Sequence, residues 1–148
     1  MGDMRQRRCV LDTNVVVAAV RSRNGASAAL LRETGSTVLP IVSIGLWLEY
    51  EAVLKRREQL RASGWTAGRV DEFLGRLAER CEPVELYFRW RPQTRDPKDE
   101  MVLDTALNGR ARYLVTHNSS DFLPLGHKFG IAIVSPARML ETIRGHHE

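Results

Sequence analysis

Long apolar runs are missing from this chain. The longest, Val15 to Val20, falls far short of the roughly 20 residues that a membrane-crossing helix needs. A basic stretch, Met1 to Arg8, is followed within a few residues by Asp12, a charge that a secretory apolar region does not tolerate. These absences predict a cytoplasmic protein with no membrane contact. Cysteine is scarce as well: Cys9 and Cys81 are the two present. They make no disulfide framework, and no Cys/His spacing resembles a zinc site, so reduced, buried thiols are expected. No Gly-x-Gly-x-x-Gly follows the first apolar segment, which excludes a Rossmann dinucleotide site. There is no internal repeat, low-complexity tract or Pro/Gly-rich linker, so residues 1–148 read as one domain.

What is present is ordinary for a soluble globular protein: 43% hydrophobic and 27% charged residues. The 22 Lys and Arg outnumber the 18 Asp and Glu, giving a net charge of +4. That balance favours an anionic partner without proving one.

Strand and helix signals alternate along the chain. Arg8 to Leu11 reads as a short apolar strand, with a helix beginning after Thr13 or Asn14. A second helix is expected over Ala26 to Glu33, stopped by Gly35. Thr37 to Val42 is a β-branched strand. Ser43 then caps a helix to about Leu60, with Ile44, Trp47, Leu48 and Leu54 at helical spacing. Trp65 to Cys81 reads as an amphipathic helix, Val84 to Phe88 as a strand, and Pro97 to Leu107 as a helix stopped by Asn108-Gly109. Tyr113 to Thr116 and Ile131 to Val134 are strands, and Pro136 to Ile143 closes the chain as a helix. This alternation predicts an α/β fold, a parallel sheet of four to five strands covered on both faces. In such sheets, sites form beyond the carboxyl ends of the strands.

Four acids fall near that edge. Asp12 immediately follows the first strand, in Leu11-Asp12-Thr13-Asn14. Asp121 lies a few residues after Leu114-Val115-Thr116. Asp99 occupies the first turn of the helix opened by Asp96-Pro97, and Glu49 lies about two turns into the helix that Ser43 caps. Each has a structural explanation. Asp96, Pro97 and Asp99 suit a helix start by capping and dipole alone; Asp12 suits a cap, Glu49 a solvated face, Asp121 a turn. Their shared location is what those explanations leave out. Two unit charges about 4 Å apart repel by roughly 4 kcal/mol at an effective dielectric of 20, so such a cluster takes up protons or a cation. All-oxygen donors without Cys or His select a hard cation, Mg²⁺ or Mn²⁺. A hard cation of that kind equips a site for phosphodiester hydrolysis.

From Val10 to about Leu140 the chain resembles the PIN-domain family. The resemblance rests on Leu11-Asp12-Thr13-Asn14 after the opening strand, and on Ser43 followed six residues later by Glu49. It rests also on Asp99 seven residues before Ala106, and on Tyr113-Leu114-Val115-Thr116 leading to Asn118 and Asp121-Phe122. It implies an α/β/α sandwich, Mg²⁺ or Mn²⁺ dependence and endoribonuclease activity, with Asp12, Glu49, Asp99 and Asp121 as metal ligands and catalytic residues. Thr13, Asn14, Thr116 and Asn118 would support them by holding those carboxylates in place or by touching the substrate. Many small bacterial members resemble VapC, the toxin of a toxin–antitoxin pair, and dimerise, so an antitoxin protein and a homodimer are implied partners. One position departs from the family. An acid often stands two residues after the threonine of the fourth motif, where this chain has Asn118. Either Asp121 takes its place, or the site runs on three acids.

RNA is the expected substrate. Arg21 and Arg23, then Lys55, Arg56, Arg57 and Arg61, and then Arg89, Arg91, Arg95 and Lys98 with Trp90 among them are candidates to hold a single-stranded backbone. A rival reading is a PIN-like RNA- or protein-binding module with weak or no catalysis. A phosphatase or receiver-type domain is a further rival, against which the Asp12-Thr13-Asn14 run lacks the second Asp of the haloacid type.

Overall fold

The computed structural model describes residues 6–87, 94 and 96–145. In chain order the elements are β1 (Arg7–Leu11), α1 (Thr13–Arg21), α2 (Ala26–Arg32), β2 (Val38–Val42), α3 (Ile44–Leu54), α4 (Arg57–Ser63) and α5 (Ala67–Ala78). Then follow β3 (Glu82–Pro83), α6 (Pro97–Asn108), β4 (Tyr113–Val115), α7 (Ser119–Phe129), β5 (Ala132–Val134) and α8 (Pro136–Arg144). The strands form one sheet in the order β3-β2-β1-β4-β5, with every pairing parallel. Helices cover both faces, giving the three-layer α/β/α sandwich expected from the alternating pattern.

Burial explains why the central strands are so apolar. Cys9, Val10 and Leu11 of β1 and Leu114 and Val115 of β4 are at most 1% exposed, because a parallel sheet buries both of its faces. From β1 the chain steps outward through β2 to β3, then crosses to the other side of β1 for β4 and β5. The switch point therefore lies between the carboxyl ends of β1 and β4, at Leu11 and Val115. That is where an open α/β sheet leaves a crevice.

Several boundaries differ from the sequence reading. The helix capped by Ser43 ends at Leu54, and α4 starts afresh at Arg57 with Arg56 extended before it. The strand expected at Val84 to Phe88 sits earlier, at Glu82–Pro83, with Val84 N–H donating to the Val42 carbonyl; Phe88 lies outside the described residues. Gly35, expected to stop α2, comes after Glu33 has already capped it; with φ 89° it makes the turn into β2. The largest difference is α7, where a loop around Asp121 was expected. Gly109 after α6 is required by space: a Cβ there would run into Ile41 and the Thr105 carbonyl. Both cysteines are free, Cys9 fully buried and Cys81 partly so.

Candidate active site

Asp12 is fixed from three directions. Its backbone N–H donates to the Val115 carbonyl (2.9 Å), which docks it at the switch point. One carboxylate oxygen caps α1, accepting from the Thr13 N–H at 2.8 Å. The other accepts from the Thr116 hydroxyl at 2.7 Å. The residue is 8% exposed. Burial pushes its carboxyl above the usual carboxylate range, and the Asp121 charge adds to this. The Thr116 hydroxyl, the Thr13 N–H and nearby His117 pull the other way. The capping role and the site role thus fall on one residue. An ionised carboxylate offers about four lone-pair positions, and two hydrogen bonds leave Asp12 room for a further ligand.

Thr116, fully buried, is the knot of the β4 exit. Besides donating to Asp12, its oxygen accepts from the Asn118 N–H (3.0 Å) and meets the Asn14 amide (3.5 Å). The Asn14 side-chain oxygen in turn accepts from the His117 N–H at 3.3 Å. The first turn of α1 and the loop after β4 are laced into one unit.

Asp99 reaches the edge from α6. Asp96 caps that helix by accepting from the Lys98 N–H at 2.9 Å, Pro97 opens it, and Asp99 lies in its first turn. Burial is the main reason its carboxyl is lifted from 3.8 to about 6, followed by the charges of Asp12, Asp96, Asp121 and Glu100. Asp121, in the first turn of α7 and exposed, contributes to raising both Asp12 and Asp99. Asp12, Asp99 and Asp121 are therefore brought into one electrostatic neighbourhood.

Glu49 comes from α3, and its nearest charged partner is Lys98, the neighbour of Asp99 in the chain. Ser43 sets its helix: the hydroxyl accepts from the Leu46 N–H (3.3 Å) and lies 2.7 Å from the Thr105 hydroxyl of α6. The Glu49 side chain, 16% exposed, meets Lys98 Nζ at 3.5 Å. Glu51 points elsewhere, to Lys55 at 2.9 Å, which also binds Asp71 at 2.7 Å.

Two contributors escaped the sequence reading. Tyr50 is buried in the core, and its hydroxyl donates to the carbonyl of Leu11, the residue before Asp12. Its position beside Glu49 was a signal, but nothing in the sequence shows where the hydroxyl goes. Ser27 of α2 hydrogen-bonds His117 Nε2 at 3.0 Å, a partner 90 residues away. Of the basic groups, Lys55 is committed to acids, while Arg21, Arg23, Arg56, Arg57 and Arg61 are exposed. Arg89, Trp90, Arg91 and Arg95 lie outside the described residues.

Among the described residues, no three Asp, Glu, His or Cys side chains converge closely enough to cage an ion by themselves. Mg²⁺ does not ask for a cage: it is commonly held by one or two carboxylates, with waters and phosphate oxygens completing its shell. Asp12 and Asp99, oxygen donors under mutual repulsion, fit that requirement.

A parallel α/β/α sandwich with Asp12 at its switch point and Asp99 and Asp121 in electrostatic reach is compatible with a nuclease-type fold. The PIN-domain family model matches residues 8–120, well over half of the 148, and the chain belongs to the PIN-domain family. Comparison with curated proteins finds no match. The match ends in the first turn of α7. Among the described residues, no helix is long and apolar enough to cross a membrane.

Proposed function

We propose that this chain is a Mg²⁺- or Mn²⁺-dependent endoribonuclease that hydrolyses RNA phosphodiester bonds at the Asp12–Asp99 edge. The observation that carries this reading is the pairing of a buried, fixed Asp12 with an Asp99 whose carboxyl is pushed to about 6 by burial and by neighbouring acids. Such a pair holds negative charge at a cost that a cation relieves. A bound divalent ion supplies a water of lowered pKa and neutralises a phosphate oxygen.

Asp12 and Asp99 are the residues to hold that ion. Glu49 and Asp121 lie at its margin as further ligands, direct or through water. Thr116 and the Thr13 N–H keep the Asp12 carboxylate in one orientation, and Asn14 and Asn118 fix the loop on which Thr116 sits. Membership of the PIN-domain family, together with the chain's resemblance to small VapC-like toxins, supports a cytoplasmic toxin role, with an antitoxin protein and a homodimer as partners. That no three acids among the described residues converge closely enough to cage an ion favours a second reading, a PIN-like binding module with little catalysis.

One assay separates the two. Labelled RNA is incubated with the intact chain and Mn²⁺; cleavage that EDTA abolishes and Asp12→Asn removes, with circular dichroism unchanged, supports the nuclease. RNA bound but left whole across millimolar Mn²⁺ supports the module. Expression in a bacterium that leaves growth and cellular RNA intact counts against a toxin role.

A further inference from the structure

We propose that Lys98 is a built-in counter-ion of the acidic edge: it holds Glu49 until a divalent cation claims that carboxylate, and the released ammonium then contacts an RNA phosphate. The inference rests on the nuclease reading above and deepens it.

The geometry is asymmetric. Glu49 is largely covered, at 16% exposure, while Lys98 is 55% exposed and reaches it from the solvent side at 3.5 Å. Nothing about the helix calls for a lysine here. Lys98 sits one residue after Pro97, in the first turn of α6, where the positive end of the helix dipole disfavours a cation. What the position offers instead is reach. Lys98 adjoins Asp99, which feels Asp12, while its ammonium meets Glu49 on α3. One residue therefore links Glu49 of α3 to the start of α6, where Asp99 lies.

Strength decides whether such a contact can be exchanged. A solvent-exposed ion pair shifts an equilibrium by only about two- to fivefold, and at 3.5 Å this one is a loose charge contact. A divalent cation, with twice the charge and direct coordination, displaces it readily. The freed ammonium is a compact, flexible donor suited to a phosphate oxygen.

The test is Mn²⁺ calorimetry on the intact chain without RNA, using the wild type, Lys98→Gln, Glu49→Gln and the double variant, joined to steady-state RNA cleavage at saturating Mn²⁺. Lys98→Gln is expected to tighten Mn²⁺ about two- to fivefold, and to add nothing in the Glu49→Gln background. In cleavage it is expected to raise KM for RNA by more than it lowers kcat. Metal binding and RNA binding thus move in opposite directions. Unchanged or weaker Mn²⁺ binding by Lys98→Gln, tightening that persists without Glu49, or an unchanged KM overturns the role of Lys98 while leaving the nuclease reading standing. A wild type that binds no Mn²⁺ overturns both.

Discussion

Replacing Asp99 with Asn in metal-free buffer should stabilise the protein at neutral pH, and the size of the effect follows from the site. Its carboxyl is lifted from 3.8 to about 6, roughly 2 units, which taken at face value is about 3 kcal/mol. The group is partly solvated, and screening reduces this to about 1 kcal/mol. Asn also forfeits about 0.5 kcal/mol of favourable charge–dipole interaction in the first turn of α6. The net gain is about 0.5 kcal/mol, or about 1–2 °C for a domain of this size. The sign of the pH dependence is fixed. A carboxyl raised in the fold burdens it fully above about pH 6, and the burden fades as pH falls through 6 toward 3.8, where the folded state takes up the proton. The variant's advantage at about pH 7.5 should therefore vanish by about pH 4. Thermal unfolding followed by circular dichroism in EDTA across that range measures it. Adding Mn²⁺ at about 100 times its Kd should reverse the order, because binding to the wild type contributes about 2.7 kcal/mol. A variant less stable than the wild type by more than about 1 kcal/mol at neutral pH, with a deficit that shrinks as pH falls and the wild-type carboxylate loses its charge, would show that Asp99 serves the helix start alone.

Three further outcomes are expected. Tyr50→Phe keeps the ring packed against Trp47 but leaves the Leu11 carbonyl without its donor; a lower urea midpoint at unchanged slope, worth about 1–2 kcal/mol, is expected, and no shift would mean that water replaces the hydroxyl. Glu49→Gln should cost more Mn²⁺-dependent cleavage than Glu51→Gln, whose acid is turned toward Lys55; the reverse ranking would show the wrong acid was chosen. Asp121→Asn should raise the Mn²⁺ concentration for half-maximal cleavage with a smaller rate loss than Asp12→Asn, and Asn118→Asp should lower it. Metal dependence untouched by Asp121→Asn leaves the site with three acids.

How legible this molecule was depended on how local each signal is. The βα alternation, the Ser43 cap and the Asp96-Pro97 start are written in neighbouring residues, and the elements appear where those residues put them. The break at Lys55-Arg56 was hidden because apolar spacing continues through it to Leu60, which packs against the core from a new helix. α7 was missed because Ser119-Ser120 reads as turn and Pro124 argues against a helix interior. Ser119 and Ser120 instead form its first turn, and Pro124 falls within it. In the site, Asp12 and Asp99 could be named because each follows a recognisable strand end or helix start. The Glu49–Lys98 pair, the Tyr50–Leu11 bond and the Ser27–His117 bond join residues 39 to 90 apart in the chain. Only the sheet order brings such partners together.

That sheet order also explains how the fold carries its acids. With every strand parallel, a helix that follows a strand begins at the carboxyl edge, so α1 and α7 both start there; the interaction of Asp99 with Asp12 places the start of α6 beside them. Asp12 is the N-cap of α1, and Asp99 and Asp121 lie in the first turns of α6 and α7. Each helix start presents the equivalent of roughly half a positive charge. Three such starts offset about half of the charge of three carboxylates, so the cluster is tolerable in the fold before anything binds. What remains is a deficit of roughly 1.5 charges, close to what one divalent cation neutralises. The topology that brings helix starts to one edge is thus what lets acids gather there, and on the proposed function a divalent cation would relieve the charge that the helix starts leave.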